Sequence, residues 1–465
     1  MILNTPRRAL RVRRGAFKLL RRGRNVLCVA ASCLLITSGA ADALNARLAN
    51  GQVVTVNSSA ELQTTVRLLL ANGMRDDARR LVRAFEPGHP DHAVRVAYVD
   101  GLAAAAEGND VEAVRIFRNI LAQRPELDLV RVQLVGAMAR LDLDDGARAQ
   151  AERLVAAGVD DKLDGQLSGL LRQLDANRPL TFRGYLSFLP STNVNNGTDR
   201  STVAIGPVAG VIPDDERRKS GLGIALGGQV AFRHQMTPSN AFIAALDGRV
   251  ERFPTIDRTN TTGQLSLGVE HRLPRGKALF RLLTGLAHQD GDRTYRYDGL
   301  SIETNTRIGD SWRLYFGPEY RQETYDRTRG EDGSTFDLPV QLDRFAGPDS
   351  FVRFIAGATF GRKRLDRFSF DEARLGLGYY REMPMGFSGY AEVIAARRTY
   401  HDDFPGISDP RRDERLSFGV TVTKRDLVVA GFAPQVSLRA TRTRSNAAFH
   451  DTTKTDLDIR LVKEF

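Results

Sequence analysis

Trp312-Arg313-Leu314-Tyr315-Phe316-Gly317-Pro318-Glu319-Tyr320-Arg321 is the stretch whose reading decides the fold. Trp312, Leu314, Phe316, Pro318 and Tyr320 take alternate positions, and Arg313, Tyr315, Gly317, Glu319 and Arg321 fill the places between. A strand turns successive side chains to opposite faces, so one face here is apolar and the other polar. The alternation recurs in Leu416, Phe418, Val420 and Val422 against Ser417, Gly419, Thr421 and Thr423. It returns at the end of the chain, where Leu457, Ile459 and Leu461 alternate with Asp458, Arg460 and Val462 before the final Phe465. Segments of about ten residues with one oily face, repeated between turn-rich breaks, are the pattern of a transmembrane β-barrel.

Working outward, the spacing predicts fourteen strands, at about 180–190, 219–235, 240–253, 259–273, 277–289, 299–308, 311–324, 333–345, 350–362, 367–382, 385–400, 413–424, 431–444 and 453–465. An even number returns both ends of a bacterial barrel to the periplasmic side. The long connections 191–218, 401–412 and 445–452 each follow an odd-numbered strand. The short breaks Pro238-Ser239, Pro274-Arg275-Gly276 and Gly309-Asp310 follow even-numbered ones. Arg281, Arg313, Glu319, Arg321, Arg374 and Arg439 alternate with apolar residues and are expected to face the lumen. A lipid-facing Arg near the midplane costs roughly 2–4 kcal/mol. These charges fit either a solvated lumen wall or an ion-paired lumen that opens for cargo.

The first 41 residues read as a signal peptide. Nine basic and no acidic residues precede the apolar run Val26–Ile36, and the small residues Thr37-Ser38-Gly39-Ala40-Ala41 follow it. The formal net charge of +11 includes +9 from this leader, leaving +2 for the rest. The basic balance therefore gives no support for nucleic-acid binding. Both cysteines, Cys28 and Cys33, also lie in the leader, so the remaining chain carries no disulfide. Beyond the leader no apolar run reaches 18 residues, and an exported chain that spans a membrane without such a helix does so as a barrel.

Residues 42–59 read as a polar, flexible lead-in. From Glu61 to Asp175 the period changes to that of helices, rich in Ala, Leu, Arg and Asp. Breaks at Asn72-Gly73, Pro87-Gly88, Gly108-Asn109-Asp110, Pro125, Asp144-Asp145-Gly146 and Gly158 suit antiparallel helix pairs. A 34-residue tetratricopeptide-like repeat can be laid over them. With Pro125 as its closing proline, Gly101, Ala113 and Phe117 take the expected Gly, small and aromatic positions. The next copy supplies Ala147 and Leu154, a degraded copy covers about 60–90, and a capping helix runs from Lys162 to Leu174. Small and apolar residues at this spacing also suit a plain helical bundle. In the repeat reading, residues 60–176 form a concave surface suited to a polypeptide, ahead of a barrel over 177–465.

No active site is evident. The seven histidines are scattered, and none sits at metal-ligand spacing. No Gly-x-Ser-x-Gly, phosphate-binding loop or dinucleotide fingerprint occurs, so neither an enzyme nor a cofactor is expected.

One stretch goes beyond architecture. Arg178-Pro179-Leu180-Thr181-Phe182-Arg183-Gly184-Tyr185-Leu186-Ser187-Phe188-Leu189-Pro190-Ser191-Thr192-Asn193-Val194-Asn195-Asn196-Gly197-Thr198 resembles the opening strand and Asn-rich loop of the surface lipoprotein assembly modulator family. The closing region is similar too, through Arg411-Arg412-Asp413-Glu414-Arg415-Leu416, Lys424-Arg425-Asp426-Leu427, Gly431-Phe432-Ala433-Pro434-Gln435-Val436, Arg444-Ser445-Asn446 and Phe465. The resemblance implies a translocon in the bacterial outer membrane, with periplasmic tetratricopeptide repeats and a 14-stranded barrel that export or display a partner lipoprotein or secreted protein. Asn193, Asn195 and Asn196 match the family's loop, where Asn also favours turns. Leu457, Ile459, Leu461 and Phe465 resemble the signal read by the barrel-assembly machinery, and Lys463 departs from it. The expected partners are thus a cargo protein, outer-membrane lipid and that machinery, without nucleic acid. The competing readings are a polysaccharide exporter, which usually carries more repeats, and a passive porin with a structural helical domain.

Overall fold

The computed structural model describes residues 44–177, 179–205, 208–403, 405, 407, 409–427 and 432–463. The expected signal peptide and Phe465 lie outside the described residues. The described residues open on a hairpin of Leu44–Arg47 (β1) and Val53–Val56 (β2), where a flexible lead-in was expected. The alternation of Val54 and Val56 explains it: Val56 is fully buried and packs with Leu62, Leu81 and Phe85.

Seven helices follow, at Ser59–Ala71 (α1), Arg75–Ala84 (α2), His92–Ala106 (α3), Asp110–Gln123 (α4), Asp128–Arg140 (α5), Asp144–Ala157 (α6) and Asp161–Asn177 (α7). They start and stop where local chemistry dictates. Ser58 caps α1 by accepting from the Glu61 backbone N–H at 3.2 Å, and the Glu61 carboxylate accepts from the Asn57 backbone N–H at 2.7 Å. This is a close relative of the capping box. At the far end of α6, Gly158 takes a left-handed φ of 82°, a conformation that ends helices and suits glycine. Between α3 and α4 the backbones approach closely at Gly101, where an added Cβ would stand 2.5 Å from Phe117 Cε1. Ala113, Phe117, Ala147 and Leu154 are all fully buried in one cluster with Met138 and Leu167.

The barrel strands are Leu180–Ser191 (β3), then, after a small loop hairpin of Thr202–Ile205 (β4) and Val208–Val211 (β5), Gly221–Gln235 (β6), Asn240–Phe253 (β7), Arg258–Leu273 (β8), Gly276–Gln289 (β9) and Asp292–Ile308 (β10). They continue as Trp312–Phe316 (β11), Glu319–Tyr325 (β12), Gly333–Gly347 (β13), Ser350–Lys363 (β14), Phe370–Glu382 (β15), Phe387–Asp403 (β16), Pro410–Lys424 (β17), Phe432–Ser445 (β18) and Thr452–Lys463 (β19). Each pairs antiparallel with the next, and β19 returns to β3, closing a 14-stranded barrel in which β11 and β12 count as one strand. The break falls at Gly317-Pro318, inside the single strand expected over 311–324. Phe316 opposes Thr304 and Glu319 opposes Ser301, so the register does not slip. Pro318 has no N–H to give the ladder, and the interruption is local.

The outward face is the apolar one. Leu226, Leu282 and Leu375 are 63%, 66% and 68% exposed, as lipid-facing side chains are in a chain without its bilayer. One end of the barrel, the inner end, holds the start of β3, the stop of β19 and the helical domain. The outer end carries the long connections after β3, β16 and β18. It also carries a tight turn between β9 and β10, where Asp290 and Gly291 both have positive φ, 54° and 90°. That Asp-Gly pair is the usual chemistry of a two-residue hairpin turn.

Candidate functional site

The helical domain is seated on the inner mouth by one buried carboxylate. Glu382, the last residue of β15, has a fully buried side chain. Arg131 of α5 donates through Nη2 to Glu382 Oε2 at 2.8 Å, and Arg425, from the turn after β17, donates through Nη1 at 3.0 Å. Arg153 of α6 pairs with the other carboxylate oxygen and lies over the Tyr380 ring, 5.1 Å from its centroid. Arg131 also donates to the Pro125 carbonyl at 2.7 Å, which holds its guanidinium in place. Buried charges are tolerated when paired and hydrogen-bonded, and here a single carboxylate bridges three cations drawn from both domains.

A second set of contacts surrounds this cluster. Arg307 on β10 reaches the Val155 carbonyl at 2.8 Å and Asp164 Oδ1 at 2.9 Å, tying α6 and α7 to the rim. The Gly386 N–H, in the turn after β15, donates to the Ala122 carbonyl of α4 at 3.1 Å. At Gly158 the helix end lies so close to the β10–β11 turn that an added Cβ would sit 2.1 Å from the Asp310 carbonyl oxygen. Asp128, at the start of α5, is raised above the ordinary carboxylate range, first by burial and then by Asp349 nearby, with Arg131 acting in the opposite direction. Its Oδ1 is buried without a hydrogen-bond partner.

Below α6 the lumen holds a cavity of about 880 Å³. Asp145, Arg148 and Glu152 of α6 form one wall, and Tyr185, Arg249, Tyr297, Arg321 and Arg460 belong to the barrel side. Glycines make room for the aromatic rings: a Cβ at Gly227 would stand 2.5 Å from the Tyr185 ring, and one at Gly285 would stand 2.3 Å from that of Tyr297. Arg249 donates to the Tyr185 hydroxyl at 2.6 Å.

The expected lumen charges each meet a partner. Arg281 pairs with Glu303 at 2.8 Å, Arg374 with Asp337 at 2.9 Å and Arg439 with Glu392 at 2.7 Å. Arg321 pairs with Glu319 and stands 4.7 Å from the Tyr297 ring centroid. Arg313 donates to Asn305 at 2.6 Å and lies 3.9 Å from Glu152 of α6. These residues do not form one cluster but are spread around the wall as separate pairs.

At the outer end the Asn-rich loop is a folded clasp. Asn193 is fully buried; its Nδ2 donates to Gly197 O at 2.8 Å and Thr453 O at 3.2 Å, and its Oδ1 accepts from the Gly197 N–H at 2.8 Å. Asn195 donates to the Arg217 carbonyl at 2.7 Å and accepts from the Lys219 N–H at 2.9 Å. Asn196 takes a left-handed φ of 53° and accepts from Lys454 at 3.2 Å. Around them, Thr198 donates to the Asp451 carbonyl at 2.9 Å, Arg200 pairs with Asp451 at 2.9 Å and Arg442 with Asp199 at 3.0 Å. The first outer loop is thereby stitched to the last. Of the end-of-chain residues, Ile459 and Leu461 face outward, 41% and 55% exposed, and Leu457 is half-buried.

Sequence reasoning missed Glu382, Arg131, Arg153 and Arg425 as a group. An acid closing a strand at the inner end was the one available signal, and its partners lie on elements far away in the chain.

A closed 14-stranded barrel with an apolar belt and a seven-helix domain on its inner mouth defines an outer-membrane barrel protein. The profile of the family described as "Surface lipoprotein assembly modifier" matches residues 181–465, and the chain belongs to that family. It is 21% identical over 428 residues to the Surface lipoprotein assembly modifier of Pasteurella multocida (strain Pm70), covering 87% of this chain and 82% of that one. It is 23% identical over 387 residues to Surface lipoprotein assembly modifier 1 of Neisseria meningitidis serogroup B (strain ATCC BAA-335 / MC58), covering 79% and 75%. Among solved structures, OccAB3 of Acinetobacter baumannii aligns with a TM-score of 0.34 and 10% identity, over 60% of this chain and 98% of that one.

Proposed function

We propose that the protein carries a client lipoprotein to the cell surface. The helical domain, residues 60–176, receives the client on the periplasmic side and hands it to the barrel, residues 177–465, which passes it across the outer membrane. The reading rests most on the seating of the helices. Because α6 stands on the mouth and lines the luminal cavity through Asp145, Arg148 and Glu152, a client entering from that side meets the helices first. No catalytic step is required: the work is binding and passage. The paired lumen charges would exchange partners with client side chains as they pass. Membrane lipid surrounds the apolar belt, and the barrel-assembly machinery inserts the chain by reading Leu457, Ile459, Leu461 and Phe465.

The test is surface exposure of lipoproteins in cells carrying the full chain, a chain lacking residues 60–176, or neither. Lipoproteins labelled with azidopalmitate are scored for cleavage by external protease. Cleavage that requires the full chain supports the reading. Steady ion or sugar flux through the purified barrel, with no effect on lipoprotein exposure, would replace it with a passive pore or a polysaccharide exporter.

A further inference from the structure

The seam between the first and last barrel strands is closed over only part of its length. Along β3 every residue from Leu180 to Ser191 has a partner on β6, and along β19 every residue from Thr452 to Lys463 has one on β18. Between β3 and β19, among the described residues, the ladder holds only Ser191–Asp456, Phe188–Ile459 and Ser187–Arg460. All three lie toward the outer end, where the two positions between them, Leu189–Asp458 and Pro190–Leu457, are not ladder pairs; Pro190 has no N–H to give. Continuing that register inward would set Leu186 opposite Leu461 and Tyr185 opposite Val462, yet neither is a ladder pair.

Two further observations fall at the same place. The luminal cavity is bounded by the inner parts of both strands, through Arg183, Gly184 and Tyr185 on β3 and Val462 on β19, next to the ladder-paired Arg460 and with α6 across from them. The outer end of the same seam is clamped. The Thr192 N–H donates to the Thr455 carbonyl at 3.0 Å, the Thr455 N–H donates to Thr192 Oγ1 at 2.8 Å, and the Asn193 and Asp451 clasp lies beyond. Among the described residues, the seam is thus held toward its outer end and carries no ladder pair inward of Ser187–Arg460, beside the cavity and below the helices.

We propose that the inner half of the β3–β19 seam is a strand-acceptor site for an extended, amphipathic segment of the client polypeptide. The inference rests on the function proposed above and gives it a place. Strand edges left without a partner recruit another backbone, and main-chain pairing is tolerant of sequence. An acyl chain has no donors or acceptors to offer those edges, so the site suits polypeptide. A segment seated there would present one face to Leu186 and Leu461, 53% and 55% exposed on the lipid side, and the other to Tyr185 and Val462 beside the cavity. Alternate residues would therefore be apolar and polar, as in the barrel's own strands.

The experiment has two arms, both on the full chain. In cells, a disulfide between Leu186→Cys and Leu461→Cys locks the open half, and one between Phe188→Cys and Ile459→Cys locks the half already paired. The expected result is loss of azidopalmitate-labelled lipoprotein from the surface in the first, restored by reductant, and no change in the second. Unchanged exposure with the first lock, in cells where removing the chain abolishes exposure, overturns the site. In the purified protein, a peptide copying residues 452–463 with cysteine in place of Leu461 is offered to Leu186→Cys and, as a control between paired strands, to Phe418→Cys. Selective coupling at Leu186 supports the acceptor site, whereas equal coupling or none overturns it. Because this arm needs no client, it separates failure of the site from failure of the transport reading.

Discussion

Glu382 and Arg131 stand 251 positions apart in the chain and meet at 2.8 Å, with side chains 0% and 1% exposed. This contact joins the helical domain to the barrel wall, with Arg153 and Arg425 completing the pair's surroundings. Breaking a buried pair from one side leaves uncompensated charge and costs about 3–5 kcal/mol. Glu382→Gln leaves three guanidiniums facing one another and is expected to undock the helices. Arg131→Met leaves Glu382 with two cations and is expected to do less harm. Limited proteolysis between the domains should follow that order, while the heat-modifiable gel migration of the barrel stays intact. Equal protection in both variants would remove Glu382 as the anchor.

Asp128 gives the docked state a pH dependence. Burial and Asp349 raise its folded value above the ordinary 3.8. A carboxyl raised on folding supports the folded state below its unfolded value, and that support is lost as pH rises through the folded value. Asp128→Asn should therefore raise the helical-domain melting temperature at pH 7 and leave it unchanged below about pH 4. A lower melting temperature at pH 7 would count against the assignment.

His450 acts at the other end with the opposite sign. Burial first, and Arg411 second, push its imidazole down to about 4 from the usual 6.5, with Asp413 opposing. A depressed value means support that is complete above 6.5 and lost as pH falls toward 4. Its neighbours in the outer-end cavity include Glu372, Arg398 and Arg415. Hydrogen exchange of residues 192–220 should rise across that window and flatten in His450→Gln. Exchange that stays level in the wild-type chain would mean the clasp does not feel this residue.

In the helical domain, Gly101→Ala should drive its methyl into the Phe117 ring. Overpacking of this kind costs about 1–3 kcal/mol. Urea unfolding of residues 50–176, followed by helical circular dichroism, measures it directly. A variant as stable as the parent would show that α3 and α4 separate freely.

Deletion of Phe465 is expected to weaken assembly, visible as loss of heat-modifiable migration in outer-membrane fractions. Normal assembly of the shortened chain would show that Leu457, Ile459 and Leu461 suffice.

The barrel was legible because lipid enforces a period of two over every strand, and few other environments do so for so many segments in one chain. The inner turns near Pro238, Pro274 and Gly309 were equally plain, since Pro and Gly interrupt ladders for local reasons. The β1–β2 hairpin went unread because eight paired residues give too short a pattern to stand out from polar neighbours. The division at Pro318 was hidden because the flanking register continues across it. Glu382 was out of reach for a different reason: its partners lie 251, 229 and 43 positions away, and no local pattern encodes which distant cations a strand end will meet. The lumen charges fell between these cases. Alternation set the expectation for their side of the wall, and their individual partners depended on which strands became neighbours.

The helical domain ends at Asn177 and the barrel begins at Leu180, so residues 178 and 179 are the whole connection. Three residue steps span at most about 11 Å, even fully extended. Release of the Glu382 anchor and of the rim contacts at Arg307 and Gly386 therefore could not send the helices away; they would swing on a short leash about one edge of the mouth, beside β3. Held so near, the anchor's two halves face each other at an effective concentration on the order of millimolar or higher, and reclosure needs no search. A domain released in this way would act as a hinged cover, with its leash attached at the strand that borders the seam.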